Sequence, residues 1–278
     1  RSKRLPYIVA VNGLKIAFLT YTYGTNGIPV KAPVVVDLID ENQIVADVKK
    51  AKDNDAEVVC VCVHWGNEYE ILPSKHQRKL AEVMKSAGVD LIIGSHPHVV
   101  QPMEVDFAVN SGRGVATVYS LGNFISNQND VNSRGGAMAK VLMARYDDRP
   151  VLLGVKPSLF FCQKPIRGKD NYVVVPQELK DSVRADSKAV FQSFMRNAEN
   201  LFEKYNINKD KEIKDIAQKI NKLYKKFEEE NKEVDEDEWF EEYEVEETKL
   251  KNKEIPSSRD VILLALVPLS KKGKNIVE

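Results

Sequence analysis

The stretch GVDLIIGSHPH, residues 88–98, begins with an apolar run and ends with two histidines that are two residues apart. Such a run is typical of a strand that is covered on both faces, as in a parallel sheet. A similar apolar run, Glu57–Val63, lies upstream and is followed at once by His64. Between the two runs, helical spacing extends over Pro73–Ser86, and Gly88 ends this predicted helix. The order strand, helix, strand predicts a βαβ crossover with a parallel pair of strands.

Three of the four histidines, His64, His96 and His98, stand where these strands end. In an open α/β sheet, ligands bind just beyond the carboxyl ends of the strands. Neutral imidazole is a common ligand of zinc, manganese and iron. His96 and His98 are expected to face one cleft, because residues i and i+2 of an extended segment point the same way. We therefore predict a metal site that needs asparagine and carboxylate oxygens to complete it; the alternative is that the histidines only cap strand ends.

Three further residues are candidates for supporting roles at this site. Glu68, four residues after His64, could orient a ligand from a second layer of contacts or could be an exposed loop acid. Asn123, in the segment SLGNF, could reach the same cleft or could simply form a turn. Arg134, in NSRGG, could pair with an anionic group of a substrate, since guanidinium matches phosphate and carboxylate. The fourth histidine, His76, is predicted to face solvent from a helix rich in Lys, Gln and Arg.

Residues 1–181 have the pattern of an α/β region that becomes β-rich. The turn signal Asn12-Gly13 predicts a hairpin of the strands Tyr7–Val11 and Lys15–Tyr21. Helical spacing covers Glu41–Asp53. Later strands are predicted at Met103–Val109, Gly114–Ser120, Ala137–Arg145, Val151–Phe161 and Tyr172–Val175.

Residues 182–278 have a different character and are predicted to form a helical, acidic extension. Apolar residues at three- and four-residue spacing predict two amphipathic helices, over about Val190–Tyr205 and Ile213–Phe227. The stretch Glu228–Glu247 holds 13 acids and one base, and Arg259–Pro268 is predicted to close the chain with a strand. Acidic runs of this kind are most often solvated or disordered, although they can also bind divalent cations or a basic partner.

Composition excludes several classes of protein. The chain of 278 residues is 43% hydrophobic, and no apolar run approaches the ~20 residues that cross a bilayer. The net charge of zero is unevenly divided: Glu228 to Glu278 carry 16 acids and 8 bases, so residues 1–227 carry a net charge of +8. The basic residues are scattered and form no aromatic-interleaved stripe, which argues against nucleic acid and leaves an anionic ligand possible. The three cysteines lack zinc-finger spacing.

Four stretches of the sequence, in their order along the chain, resemble the CapA-type poly-γ-glutamate (capsule) biosynthesis proteins. Those proteins are similar to the calcineurin-like metallophosphatases. The four stretches are KIAFLTYTYGTNGIP, HWGNEYE, GVDLIIGSHPHVVQP and YSLGNFISNQ, and with their surroundings they cover about residues 5–175. The resemblance implies a metallophosphatase-like α/β/β/α sandwich and a site for two divalent ions (Mn, Zn or Fe). It also implies that His64 and His96 bind one ion and that His98 binds the other.

The chain also departs from the pattern of that family. An early Gly-Asp motif and an Asn-Asn-His segment are expected there, and they supply the bridging carboxylate, an asparagine ligand and the histidine that acts as general acid. This sequence contains neither. We therefore expect residues 1–181 to be the C-terminal part of the domain. The partner that completes the sheet and the site is expected to be the N-terminal half of the same domain, on the same or a separate chain.

Two functional hypotheses follow from the residues and the resemblance together. In the first, a metal-dependent hydrolase of the phosphoesterase type directs a water at a phosphate ester or an amide-type bond. In the second, the protein is a non-catalytic scaffold or an anionic-polymer-binding component of a cell-surface polymer assembly. The expected partners are an anionic polymer or a phosphorylated substrate and not nucleic acid. The resemblance implies an extracytoplasmic or envelope-associated location.

Overall fold

The computed structural model describes residues 6–108, 113–146, 149–166, 170–208 and 261–266. Within these ranges the chain forms two sheets and three α-helices. The strands of the first sheet are β1 (Tyr7–Val11), β2 (Leu14–Thr22), β3 (Val58–His64), β4 (Leu91–Ser95), β5 (Met103–Ala108), β6 (Arg113–Val118) and β10 (Ile207–Asn208). The strands of the second sheet are β7 (Gly135–Tyr146), β8 (Arg149–Gln163), β9 (Val173–Pro176) and β11 (Val261–Leu266). The helices are α1 (Glu41–Asp53), α2 (Lys75–Ala87) and α3 (Lys188–Tyr205).

The centre of the first sheet is a set of four parallel strands, β2, β3, β4 and β6. The strand order is β1-β2-β3-β4-β6-β5-β10, and β3 pairs in parallel with both β2 and β4. The predicted βαβ crossover is therefore confirmed, with α2 between β3 and β4. The predicted hairpin is confirmed as well, since Asn12 and Gly13 have positive φ values of 47° and 73° between antiparallel β1 and β2.

Strand β3 is apolar throughout because both of its faces are covered. Val58 and Cys60 belong to the core that lies between the two sheets. Val59, Val61 and Val63 belong to a second core, in which apolar residues of α1 and α2 cover the other face. A continuous apolar run, rather than an alternating one, is what such a doubly covered strand requires.

The ends of α2 follow from local sequence. Ser74 accepts a hydrogen bond from the backbone N–H of Gln77, and the side chain of Gln77 accepts one in return from the N–H of Ser74. This capping box satisfies two amide groups that the first helical turn leaves without partners. Gly88 ends the helix in the left-handed conformation, with φ of 93°. The helix begins two residues later than the Pro73 start predicted from the sequence.

The second sheet packs face to face on the first. Alternate residues of its two central strands share the inter-sheet core: Ala137, Ala139 and Val141 of β7, and Leu159 and Phe161 of β8. Helix α3 contributes to the same core, and the rings of Phe191 and Phe194 lie 5.6 and 6.4 Å from the ring of Phe161. The fold class predicted from the sequence is confirmed as a mixed α/β sandwich of two sheets.

The elements that follow residue 182 join these sheets. After α3, β10 pairs in parallel with β5, and β11 pairs antiparallel with β7. The strand predicted over Arg259–Pro268 is thus confirmed for its residues 261–266. The predicted division between residues 181 and 182 stays a prediction. The second amphipathic helix and the acidic stretch Glu228–Glu247 lie outside the described residues. No helix in the described part of the chain has the length and apolar character needed to cross a membrane.

A close backbone approach at Gly94 fixes the distance between β4 and the segment that follows β6. A Cβ atom at this position would lie 2.0 Å from the carbonyl oxygen of Tyr119 and 2.4 Å from Nε1 of Trp65. Trp65 is fully buried, and its Nε1–H donates to that same carbonyl at 2.9 Å. Only glycine fits at this position without displacing both groups.

We expect the substitution Gly94→Ala to lower the free energy of unfolding by about 2 kcal/mol or more, because the added methyl group overpacks a rigid core. The matched control is Gly154→Ala in β8, where an added Cβ meets nothing within 4 Å. Urea denaturation of both variants measures the difference. Equal stability of the two variants would contradict the packing described for Gly94.

Candidate metal centre

Three histidines meet at the edge of the first sheet where parallel strands end. His64 is the last residue of β3, and His96 and His98 follow β4. The ring centroids of His64 and His96 are 4.6 Å apart, and those of His96 and His98 are 5.9 Å apart. The parallel register aligns His64 with Ser95, so the crossover brings the first histidine level with the start of the HPH segment. The structure therefore gathers the three imidazoles predicted from the sequence into one cluster.

The backbone that carries His96 and His98 is not extended, and the expectation that they share a face for that reason is wrong. Their φ values are 107° and 62°, in a region that residues with a side chain rarely adopt. Such strain persists only where surrounding contacts determine it, and it is frequent at functional sites. Backbone hydrogen bonds supply these contacts: Ser95 accepts from Trp65 N at 3.0 Å, and Pro97 accepts from Tyr69 N at 2.7 Å.

The hydrogen bond between His98 and Asn123 determines which nitrogen of His98 carries a proton. Nδ1 of His98 lies 2.9 Å from Oδ1 of Asn123. The amide of Asn123 is oriented by its Nδ2 group, which donates to the carbonyls of Ser133 at 2.9 Å and His98 at 3.2 Å and to Oε1 of Gln128 at 3.0 Å. Because Oδ1 can only accept, Nδ1 of His98 must donate, and the neutral ring then has its lone pair on Nε2.

The Nε2 atom of His98 is buried and has no hydrogen-bond partner among the described residues. The residue is 5% exposed. Oε1 of Glu68 lies 3.5 Å from this nitrogen, and potential ligand atoms of Glu68, His96 and His98 all lie within 4.8 Å of one another. A buried acceptor without a partner is rare in proteins, whereas a metal ligand in its unloaded state has this arrangement. The residues present therefore fit a divalent metal ion.

The ring of His64 is oriented by Thr22, the last residue of the neighbouring strand β2. Oγ1 of Thr22 donates to the carbonyl of Gly24 at 2.9 Å and lies 3.1 Å from Nδ1 of His64. When the hydroxyl proton is given to Gly24, the hydroxyl oxygen accepts from Nδ1 of His64, and the lone pair of the neutral ring is then on Nε2. Thr22 and His64 can meet because they are register partners of β2 and β3.

The loop that carries Glu68 is held by a pair of buried amides. Gln77 and Gln101 are both fully buried, and Nε2 of Gln77 donates to Oε1 of Gln101 at 2.9 Å. Nε2 of Gln101 in turn donates to the loop carbonyls of Glu70 at 2.7 Å and Leu72 at 3.2 Å. These bonds position the exposed Glu68 side chain near His98.

The structure places Arg134, the remaining candidate, in contacts with the second sheet rather than with the three clustered histidines. The guanidinium of Arg134 lies 5.1 Å from the ring centroid of Phe161, and its Nε and Nη2 are 3.4 Å from the carbonyl oxygen of Cys162. Burial lowers the pKa of Arg134 from its usual value. Its described contacts are therefore with the second sheet. His76 is exposed on α2, as predicted.

Four residues of this centre were not identified from the sequence: Thr22, Tyr23, Gln77 and Gln101. Thr22 and Tyr23 belong to the stretch TYTYGTNG, where β2 gives way to a Gly- and Asn-rich loop. Since β2 is parallel to β3, the same rule that singled out His64 could have found them. Gln77 and Gln101 have no comparable signal, because only the packed structure shows that both amides are buried.

Comparison with known proteins agrees with the resemblance seen in the motifs. Residues 1–128 match the family described as Bacterial capsule synthesis protein PGA_cap. The chain is 36% identical over 131 residues to the PGA biosynthesis protein CapA of Bacillus subtilis (strain 168), covering 47% of this chain and 33% of that protein. It is 33% identical over 152 residues to the capsule biosynthesis protein CapA of Bacillus anthracis, covering 53% and 35%.

This chain thus spans about a third of the length of these two CapA proteins. The PGA_cap segment contains the three clustered histidines, Glu68 and Asn123. Among solved structures, similarity is found to the 5'-nucleotidase precursor of Thermus thermophilus, with 17% identity, a TM-score of 0.37 and coverage of 71% of this chain and 34% of that one. NAD nucleotidase of Haemophilus influenzae has 11% identity, a TM-score of 0.38 and coverage of 80% and 37%.

We expect Gln101→Met to loosen the loop that carries Glu68. The change keeps the volume but leaves the amide of Gln77 and two loop carbonyls without a partner, which should cost about 1–3 kcal/mol. Hydrogen exchange should show faster exchange of the amide protons of residues 66–74 than in the unchanged protein. The control is Gln43→Met on α1, where the side-chain amide of the glutamine donates to Asp47 on its own helix. Unchanged exchange in residues 66–74 would contradict the role of the amide pair.

Proposed function

We propose that this chain provides part of a divalent-metal hydrolase centre in a capsule synthesis protein. The observation that carries the proposal is the buried Nε2 of His98, which has no hydrogen-bond partner among the described residues and lies 3.5 Å from Oε1 of Glu68. Nδ1 of the same ring is held by Asn123 at 2.9 Å. An imidazole that donates through one nitrogen to an oriented oxygen and presents the other nitrogen is the usual form of a histidine ligand.

The residues that would hold metal are His64, His96 and His98, with Glu68 as a neighbouring carboxylate. When bound, two divalent ions would lower the pKa of a water molecule and stabilise negative charge that develops on a phosphate or amide-type group. Asn123 and Thr22 would keep the rings of His98 and His64 oriented. The bridging carboxylate and the general acid implied by the resemblance are not in this sequence, and we propose that another polypeptide segment supplies them.

The context of the reaction is proposed to be the cell envelope, because both CapA proteins are named for capsule or PGA biosynthesis. An anionic polymer or a phosphorylated intermediate of its synthesis would suit the net charge of +8 on residues 1–227. The competing hypothesis is a scaffold that binds polymer without catalysis and has a degenerate or purely structural metal site. A hydrolytic activity that depends on bound metal therefore separates the two, whereas metal content alone does not.

We expect His98→Ala to abolish or strongly weaken binding of Mn²⁺ and Zn²⁺, because it removes a ligand held in a defined orientation. His76→Ala is the matched control, since His76 is exposed on α2 and should leave binding unchanged. Isothermal titration and elemental analysis of the purified proteins measure the effect. Equal metal binding by the two variants, or no binding by the unchanged protein under conditions where it is folded, would refute the metal centre.

We expect Asn123→Leu to weaken metal binding by about 10- to 100-fold, the usual effect of removing a group that orients a histidine ligand. The variant removes the group that accepts from Nδ1 of His98, and it leaves every proposed ligand residue unchanged. In a metal titration, the affinity of Asn123→Leu should lie between that of His98→Ala and that of the unchanged protein. An affinity equal to that of the unchanged protein would show that Asn123 has only a structural role.

A further inference from the structure

Tyr23 contacts two of the three clustered histidines at once. Its ring lies 5.4 Å from the ring of His64 with an interplanar angle of 19°, and 4.5 Å from the ring of His96 with an angle of 45°. His64 ends β3 and His96 follows β4, and their ring centroids are 4.6 Å apart. One tyrosine ring therefore spans both, while 46% of the residue remains exposed to solvent.

The position of Tyr23 is fixed at both ends of the residue. Its backbone N–H donates to the carbonyl of His64 at 3.0 Å. Its hydroxyl group donates to Oδ1 of Asn26 at 2.5 Å. Asn26 and Gly27 have φ values of 52° and 75°, and the turn that they form returns Asn26 toward the phenol. The ring is thus held between the end of β2 and a tight turn.

We propose that Tyr23 is a positioning residue that holds the His64–His96 pair in a geometry in which both rings can bind one ion. This inference rests on the proposed metal centre and names a group that no motif or comparison assigns. The hydrogen bond from Nδ1 of His64 to Thr22 fixes one edge of that ring, and the stacked face of Tyr23 restricts its rotation about that edge. Restricting ligand side chains before binding raises affinity, because less conformational freedom is lost when the ion binds.

The first test needs no metal. The chain has only four histidines, so the ring-proton signals of each can be resolved by nuclear magnetic resonance. In the unchanged protein, nuclear Overhauser contacts should join the ring protons of Tyr23 to those of His64 and His96. In Tyr23→Leu, the His64 and His96 signals should shift, while that of His76 should not. Absence of these contacts in the unchanged protein would overturn the proposal without any variant.

The second test is titration with Co²⁺, followed by its absorption spectrum. Tyr23→Leu should weaken binding about tenfold or more, as expected for a group that orients ligands, and Tyr23→Phe should stay within about threefold because the ring remains. Tyr7→Leu is the control, since Tyr7 is 70% exposed on β1 and lies outside the cluster. Thermal unfolding of each variant separates lost affinity from lost fold.

The outcomes are distinct. If Tyr23→Leu binds Co²⁺ as tightly as the unchanged protein, Tyr23 does not position the ligands. That result would leave the proposed metal centre itself intact. If the unchanged protein binds no Co²⁺, the metal centre is refuted, and the contacts between ring protons still decide whether Tyr23 orders the two imidazoles. A loss of affinity equal in Tyr23→Phe and Tyr23→Leu would assign the effect to the bond with Asn26 and would overturn the role of the ring.

Discussion

The parallel register of β2, β3 and β4 is the constraint on which the candidate centre depends. Thr22, His64 and Ser95 lie level with one another on these three strands. Because all three strands end at the same edge, the loops that leave them must run side by side. This strand pairing brings together the hydroxyl of Thr22, the ring of His64 and the backbone that leads to His96.

Hydrogen bonds and close packing around the histidines then fix the conformation of the segment that carries His96 and His98. The HPH segment adopts positive φ at both histidines, which is unfavourable by itself. It is held by hydrogen bonds from three directions: from Trp65 to Ser95, from Tyr69 to Pro97, and from Asn123 to the carbonyl of His98. At Gly94 the backbone lies so close to Trp65 and Tyr119 that no side chain fits, so this edge of the sheet is tightly packed. The contacts that hold the HPH backbone in this conformation therefore come from other segments of the chain.

Two of the three imidazoles, those of His64 and His98, are oriented by neutral oxygen acceptors. Asn123 accepts from Nδ1 of His98, and Thr22 is placed to accept from Nδ1 of His64. Each acceptor favours the tautomer with the proton on Nδ1, and the lone pair of the neutral ring is then on Nε2. With this orientation, Nε2 of His98 faces Oε1 of Glu68 at 3.5 Å and has no hydrogen-bond partner among the described residues.

The sequence by itself determined the βαβ unit, the hairpin and the edge at which the histidines lie, because apolar runs, helical spacing and turn residues are local signals. It also named Asn123 as a candidate but left a simple turn as the alternative, and the hydrogen bond to His98 is seen only in the folded chain. Only the tertiary structure decided that Arg134 lies against Phe161, that Gln77 and Gln101 are buried together, and that the HPH backbone is bent. Those outcomes depend on contacts between segments far apart in the chain, and residue type at one position does not encode which distant group will meet it.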